Sequence, residues 1–404
     1  MESRSPCADA ESGTGSRPNG PAASPSAHVR RDASRGNRLL TLFLCGDVMT
    51  GRGIDQVLPH PADPGIHEPY VSSSLEYVRL AEAAHGPIPR PVEFSYPWGD
   101  ALEELGRVAP EARLINLETS VTRSDGHWKG KGINYRMHPD NVGCLIAARI
   151  DVCALANNHV LDFGYAGLVE TLETLKKAGL RPAGVGRSLA EAREPAVVDL
   201  ADTGRVVVLG LGTRSSGIPP SWAATDTRPG VDLLPDLSDA AAREVVERVQ
   251  RLKRSRDVVV VSIHWGSNWG YEVPAEHRRF ARRLLDGGVD VVHGHSSHHP
   301  RPVEVYRGKL ILYGCGDFLD DYEGIAGYEE FRDDLTLMYF PRIDPATGEL
   351  ESLRLTPMCI RNLKVNRADP ADARWLRDAL ERVSKPFGSH VELGADGSLR
   401  LRWA

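Results

Sequence analysis

Short apolar runs that end in a polar or glycine-containing turn recur along the chain, and their spacing predicts the architecture. LLTLFLCGD (39–47), ARLINLE (112–118), IDVCALA (150–156), GRVVVLGLG (204–212), DVVVVSIHWG (257–266), VDVVHGH (289–295) and KLILYGCGD (309–317) have the length of buried strands. Helical periodicity fills intervals between them, as in YAGLVETLETLKKAGL (165–180) and PAEHRRFARRLLDGG (274–288). Alternation of this kind predicts βα units around a largely parallel or mixed sheet. PVEVYRG, KLILYG, DLTLMYFP and LESLRLTPM read as an antiparallel meander. The expected fold is therefore a layered α/β sandwich with a mixed second sheet, not a barrel. ADARWLRDALERVSKPFG predicts a C-terminal helix, and VELGADGSLRLRWA a hairpin. Three parts are expected: a disordered tail over 1–37, where few apolar side chains offset the entropy of ordering; a catalytic domain over 38–362; and a helix-and-hairpin extension over 363–404 packed on the core.

Polar side chains gather where the apolar runs stop. Asp47 ends the first, Glu118 the second, Asn157, Asn158 and His159 follow the third, and His264, His293 and His295 close later ones. In an α/β sheet such positions converge at the carboxyl edge of the strands, where ligands bind. The mixture of Asp, Glu, Asn and His predicts a divalent metal centre, because these groups supply oxygen and imidazole donors at roughly 2.0–2.6 Å. The ligand candidates are Asp47, Glu118, Asn158, His264, His293, His295 and His298. Three also have a plainer reading, a turn-forming Asp47, a helix-capping Glu118 and a packed His264, whereas four imidazoles within residues 293–299 rarely serve packing alone. If 292–295 is extended, His293 and His295 face one side, and a turn through Ser296 and Ser297 returns His298 towards the centre. Asn157 and Asn158 cannot both face one site, so one holds the loop and the other approaches the metal. His159 then lies just beyond the ligands as a proton-transfer group, with Asp162 orienting it or capping the next helix. The mixed donors admit Ca, Mn, Zn or Fe.

Composition narrows the classes. A net charge of -6 gives no general field for gathering nucleic acid. Six cysteines without CxxC pairs do not form a disulfide scaffold; with no apolar signal stretch or membrane-spanning run, the expected setting is the cytoplasm. Cys45 and Cys153 sit in apolar strand patterns and read as packing, whereas the glycines around Cys315 would let backbone approach a ligand. Neither GxGxxG nor Walker A spacing occurs, so no nucleotide cofactor is expected, and no serine lies in a nucleophile elbow.

The ordered set CGDVMTGR, INLETSVT, LANNHVLDFG, VVVSIHWG and VVHGHSSHHPRPVEVYRGKLILYGCGDFLDD, spanning roughly residues 40–343, resembles the CapA family of poly-gamma-glutamate capsule proteins. That family's domain is similar to calcineurin-like metallophosphoesterases. The resemblance implies a four-layer α/β/β/α sandwich, a metal role for Asp47, Glu118, Asn158, His264 and the HGHSSHH region, and His159 beside the reacting centre. Ordinary metallophosphoesterases carry a His two residues after their first Asp; Met49 stands there, which points to a single metal and weakens a phosphatase reading. Within the family the chain also resembles the metal-dependent epimerases of lasso-peptide biosynthesis, which invert a C-terminal tryptophan. That likeness implies a peptide substrate, a lasso precursor with its leader, a precursor-recognition partner, and Cα proton exchange by an acid and a base. His159 and His295 are the candidates for that exchange, and His295 cannot be both ligand and base. Arg52, Arg90, Lys131 and Arg136 are candidate carboxylate partners, and Trp265 and Trp269 candidate walls for an indole. The alternative is a CapA-like metal-dependent hydrolase, a phosphoesterase or amidase, or a capsule-biosynthesis protein.

Overall fold

The structure is a computed structural model that describes residues 38–200 and 204–404. The expected tail over 1–37 lies outside the described residues. Two mixed sheets face each other. The first contains β1 (Leu40–Val48), β2 (Ala112–Leu117), β3 (Val152–Ala154), β4 (Arg181–Ala183), β11 (Asp317–Leu319), β12 (Leu335–Ile343), β13 (Leu350–Ile360), β14 (Ser389–Leu393) and β15 (Leu399–Trp403). Its main path runs β14-β15-β13-β12-β1-β2-β3-β4, with β11 pairing parallel to β1. The second contains β5 (Ala196–Leu200), β6 (Gly204–Gly212), β7 (Asp257–His264), β8 (Val291–His295), β9 (Val303–Tyr306) and β10 (Lys309–Leu312), in the order β9-β10-β8-β7-β6-β5.

The period of two along each strand sorts side chains into three cores. Leu42, Leu44, Leu114, Val206, Val258 and Val291 point inward and meet between the sheets. Phe43, Ile115 and Leu117 point outward and pack under helices that include α1 (Arg52–Val57), α2 (Leu75–His85), α3 (Ala101–Val108) and α4 (Gly164–Lys177). On the other outer face Val207, Val259, Val261 and Val292 meet α5 (Asp239–Leu252) and α6 (Ala275–Asp286). This is a four-layer α/β/β/α sandwich.

The expected four-strand meander is two separate hairpins. β9 and β10 pair antiparallel in the second sheet, where β10 also runs parallel to β8, whereas β12 and β13 pair in the first. The 363–404 segment supplies α7 (Pro370–Ser384) and the β14–β15 hairpin, and β15 joins β13 through Arg354 opposite Arg400.

A bulge in β1 aims Asp47. Three steps along β1, from Leu44 to Asp47, cover two along β2, from Leu114 to Asn116. Simple alternation would leave residue 47 on the helix side with Phe43 and Cys45; the extra residue brings it beside Asn116 on the inner face. Gly46 makes this approach feasible, since a Cβ there would lie 1.6 Å from the Gly316 carbonyl oxygen. Backbone cannot yield to a methyl group at that distance. Gly46→Ala is expected to lower stability by about 1–3 kcal/mol or more through overpacking. It should weaken cation binding as well, because Asp47 and Asp317 pair across this contact. Thermal melting and cation titration of the variant check both.

Candidate metal centre

The donors stand on the inner face, at the carboxyl ends of strands from both sheets. β7 and β8 are parallel and in register, with Ser262 opposite His293 and His264 opposite His295. Buried Asp47 accepts from Asn116 Nδ2 at 2.7 Å and from the Ser296 amide at 3.2 Å. Asn116 also donates to Glu118 at 3.2 Å, so one amide holds both carboxylates. Asn157 clamps the loop, donating to Asn116 and the Leu117 carbonyl and accepting from the His159 amide. Asn158 instead turns its Oδ1 to His264 Nε2 at 2.9 Å, which is the division of labour the sequence requires.

The ring hydrogens of the buried histidines are fixed by their partners. The Cys45 carbonyl can only accept, so His293 Nε2, 2.7 Å away, carries the ring hydrogen. Burial pushes the His293 pKa down to about 4, so the ring is neutral and its Nδ1 accepts from Ser262 at 3.1 Å. Ser262 Oγ in turn takes the hydrogen of His295 Nε2 at 2.9 Å. His295, held neutral by burial, therefore turns a bare Nδ1 towards His264 Nδ1 at 2.8 Å. His264 places its own hydrogen on Asn158, which leaves that second Nδ1 bare too. Two lone pairs facing each other repel unless they share a cation. Asp47 Oδ1 is 3.9 Å from His295, and Asp47, His264 and His295 form one compact donor group. Glu118 Oε1 lies 3.7 Å from His264 Nε2. The donor set fits a divalent ion. Burial and mutual repulsion raise the carboxyls meanwhile: Asp47 to about 7 by burial and then Asp317, Glu118 by burial and then Asp47.

His159 sits beside this group with Nε2 3.8 Å from Glu118. Its Nδ1 is 2.6 Å from Asp162 Oδ2 and 2.8 Å from the Lys131 ammonium; with the ring hydrogen on Nδ1, donated to the nearer carboxylate, and Lys131 bound to the other oxygen of Asp162, Nε2 is left free. Burial lowers its pKa to about 4 against the opposing pull of Asp162. The Tyr135 amide and Lys131 fix Asp162 in turn.

His298 forms a second such pair. Its Nδ1 is 2.9 Å from each oxygen of Asp317, and Asn268 lies 2.8 Å from Nε2. Asp47, His298 and Asp317 make another compact group, so Asp47 is common to both.

Several other expected site residues are taken up by other partners or lie away from the centre. His293 shares a face with His295, as the alternation requires, but both its nitrogens are committed to Cys45 and Ser262. Trp265 follows His264 and so points outward, stacked on His277 with Nε1 on the Tyr313 carbonyl. Cys315 is buried between the sheets, and burial pushes its thiol pKa up. Arg90 is half out in solvent on Glu82, and Arg136 is bound to Asp125. Lys131 stays beside the centre, with its ammonium bound to Asp162 and 2.8 Å from His159 Nδ1. Arg52 is enclosed by Glu68 and Asp321 and stacks 3.8 Å over Tyr77, so its charge is already matched. Arg52→Met would strand two buried carboxylates and is expected to cost about 3–5 kcal/mol in a denaturation measurement. Trp269 does face the site, 5.2 Å from His298. Sequence reasoning missed Asn116, although a polar residue two before Glu118 in an apolar strand shares its face. It also missed Tyr135 and Tyr322, whose hydroxyls meet at 2.7 Å beside the two histidine–aspartate pairs, and which no spacing announces.

Among the described residues no helix is long and apolar enough to cross a membrane. The chain is 49% identical over 364 residues to a probable polyglutamine synthesis accessory protein of Mycobacterium tuberculosis, covering 90% of this chain and 96% of that one. It is 30% identical over 268 residues to the PGA biosynthesis protein CapA of Bacillus subtilis, covering 66% and 64% of the two chains. Among solved structures it is similar to a 5'-nucleotidase precursor from Thermus thermophilus, at 16% identity and a TM-score of 0.43, covering 86% of this chain and 59% of that one. The family model for the bacterial capsule synthesis protein PGA_cap matches residues 41–322, across β1 and the whole donor cluster, and the chain belongs to that family.

Proposed function

We propose that the protein is a metal-dependent amide hydrolase working in polyglutamyl or capsule-type biosynthesis. The observation that carries this reading is the oriented His159–Asp162 pair, whose free Nε2 faces Glu118 beside the converging Asp47, His264 and His295. A divalent cation held by Asp47 and the facing Nδ1 atoms of His264 and His295 would supply Lewis acidity for the carbonyl, with Glu118 alongside and Asn158 fixing the His264 ring from its Nε2 edge. His159 Nε2 accepts a proton as water adds to the carbonyl carbon, and Asp162 stabilises the charge this creates on the ring. As the C–N bond breaks, His159 passes the proton to the departing nitrogen. Met49, buried and met by the Tyr322 hydroxyl, stands where a two-metal phosphoesterase would have a histidine, so that position supplies no imidazole here. The names of the two relatives, one in polyglutamine and one in PGA synthesis, support amide-linked material.

The test is to incubate metal-loaded full chain with peptide and γ-glutamyl amides and with p-nitrophenyl phosphate, following new amine and released phosphate. Cation-dependent amine is expected; phosphate without amine would reassign the protein as a phosphoesterase. One feature favours a second reading, epimerisation of a peptide α-carbon. The His298–Asp317 pair stands on the Asp47 side of the centre and His159 on the Glu118 side, the placement a two-base proton exchange needs, although the Asn268 amide must first leave His298 Nε2. Deuterium entering one α-carbon from D2O, with no new terminus, distinguishes it.

A further inference from the structure

A cleft of about 420 Å³ opens beside His298 and Tyr322. Its walls are mostly aromatic and aliphatic. Trp269 lies flat on Tyr328, with centroids 3.9 Å apart and planes 4° apart, and Phe331 backs Trp269 at 5.3 Å. Tyr70 is 70% exposed, Ile325 41%, Tyr328 40% and Leu80 36%. These are four of the six large hydrophobic side chains most exposed among the described residues, and all four line this cleft. Isolated apolar residues on a surface need no explanation, but a ring of them around one opening marks a binding site.

The charges around the opening narrow the occupant. Arg52 is the cation among the lining residues, and Glu68 and Asp321 already match it. Asp333 adds a carboxylate to the wall. A run of glutamate carboxylates would find no free cation there and would meet this acid. The volume falls in the range of small-ligand pockets, roughly 300–1,000 Å³.

We propose that the cleft is the subsite for a bulky uncharged side chain on one side of the bond under attack, and that it rejects an acidic one, so that any glutamyl stretch of the substrate lies outside it. This rests on the amide-hydrolase reading for the position of the bond. The preference itself is read by binding alone, so the two can fail separately. The probes are N-acetylglycyl-phenylalanine, N-acetylglycyl-leucine, N-acetylglycyl-glutamate and an oligo-γ-glutamate, titrated calorimetrically into metal-loaded full chain. The phenylalanine and leucine peptides are expected to bind about tenfold or more tightly than the glutamate peptide, the order expected when a large apolar side chain is buried. Ile325→Asp and Leu80→Asp, at exposed positions, should remove most of that advantage. They should leave cation affinity and melting temperature in place, and Tyr328→Ala provides a third, uncharged variant. Equal or tighter binding of the glutamate probes would overturn the assignment, as would unchanged affinity for the apolar peptides in all three variants. Turnover failing on every amide while the apolar preference holds would remove the hydrolase reading and keep the subsite.

Discussion

Replacing His159 by glutamine is expected to lower turnover about 10²–10⁴-fold, the usual contribution of a positioned acid–base group. Glutamine is polar and of similar reach, but it cannot accept the proton that Nε2 takes. Asp162→Asn should also impair turnover, because asparagine can present its amide to Nδ1 and favour the tautomer with hydrogen on Nε2. Cation titration and circular dichroism should show metal binding and fold persisting in His159→Gln, since the side chain is 3.8 Å from Glu118 and holds no donor in place. Rate constants measured at saturating cation isolate the chemical step. An unchanged kcat would place proton transfer on another group, with His298 the next to test.

The second large effect couples cation and pH. In the metal-free protein Asp47 is raised from an ordinary value of 3.8 to about 7, and burial and repulsion raise Glu118 and Asp317 as well. Between the two Asp47 values the folded state holds a proton that the unfolded state has released. Stability of the metal-free protein should therefore fall as pH rises from about 4 to 7, and each such group contributes about 1.4 kcal/mol per pH unit over its window. A divalent cation replaces those protons, so its stabilisation should grow with pH. At 1,000 times Kd it amounts to about 4 kcal/mol. Melting curves with chelator and with metal, taken at intervals across this range, should diverge as pH rises. Asp47→Asn should narrow the divergence and flatten the metal-free curve; parallel curves in the native protein would show that these carboxylates do not hold the ion.

Much of this arrangement was legible because strands announce their ends. An apolar run with period two fixes which side chains share a face, so β7 and β8 deliver His264 and His295 to one place from far apart in the chain. The same rule, applied one residue further, would have sent Trp265 outward. Other features depend on facts that a linear pattern does not hold. The β1 bulge depends on its pairing with β2, and no local signal in LFLCGD shows it. His293 sits one step deeper than His295, and only the approach of the Cys45 carbonyl from the opposite sheet commits it. Which arginines were free was equally hidden: Arg52, Arg90 and Arg136 look alike in sequence, and each finds its acid through a loop or helix contact. KLILYG and DLTLMYFP share composition but entered different sheets, because register with β8 and β1 decided their partners.

The in-register mounting of His264 and His295 on neighbouring strands has a bearing on which ion is chosen. Their nitrogens are held against spreading because the far edge of each ring is tied, His264 Nε2 to Asn158 and His295 Nε2 to Ser262, on strands packed between two apolar cores. A compact transition cation suits such an unyielding pair of imidazoles. A larger alkaline-earth ion would have to complete its shell with oxygens from water or from the molecule being processed. Ionic radius, more than raw affinity, would then govern which element this scaffold retains in a mixture.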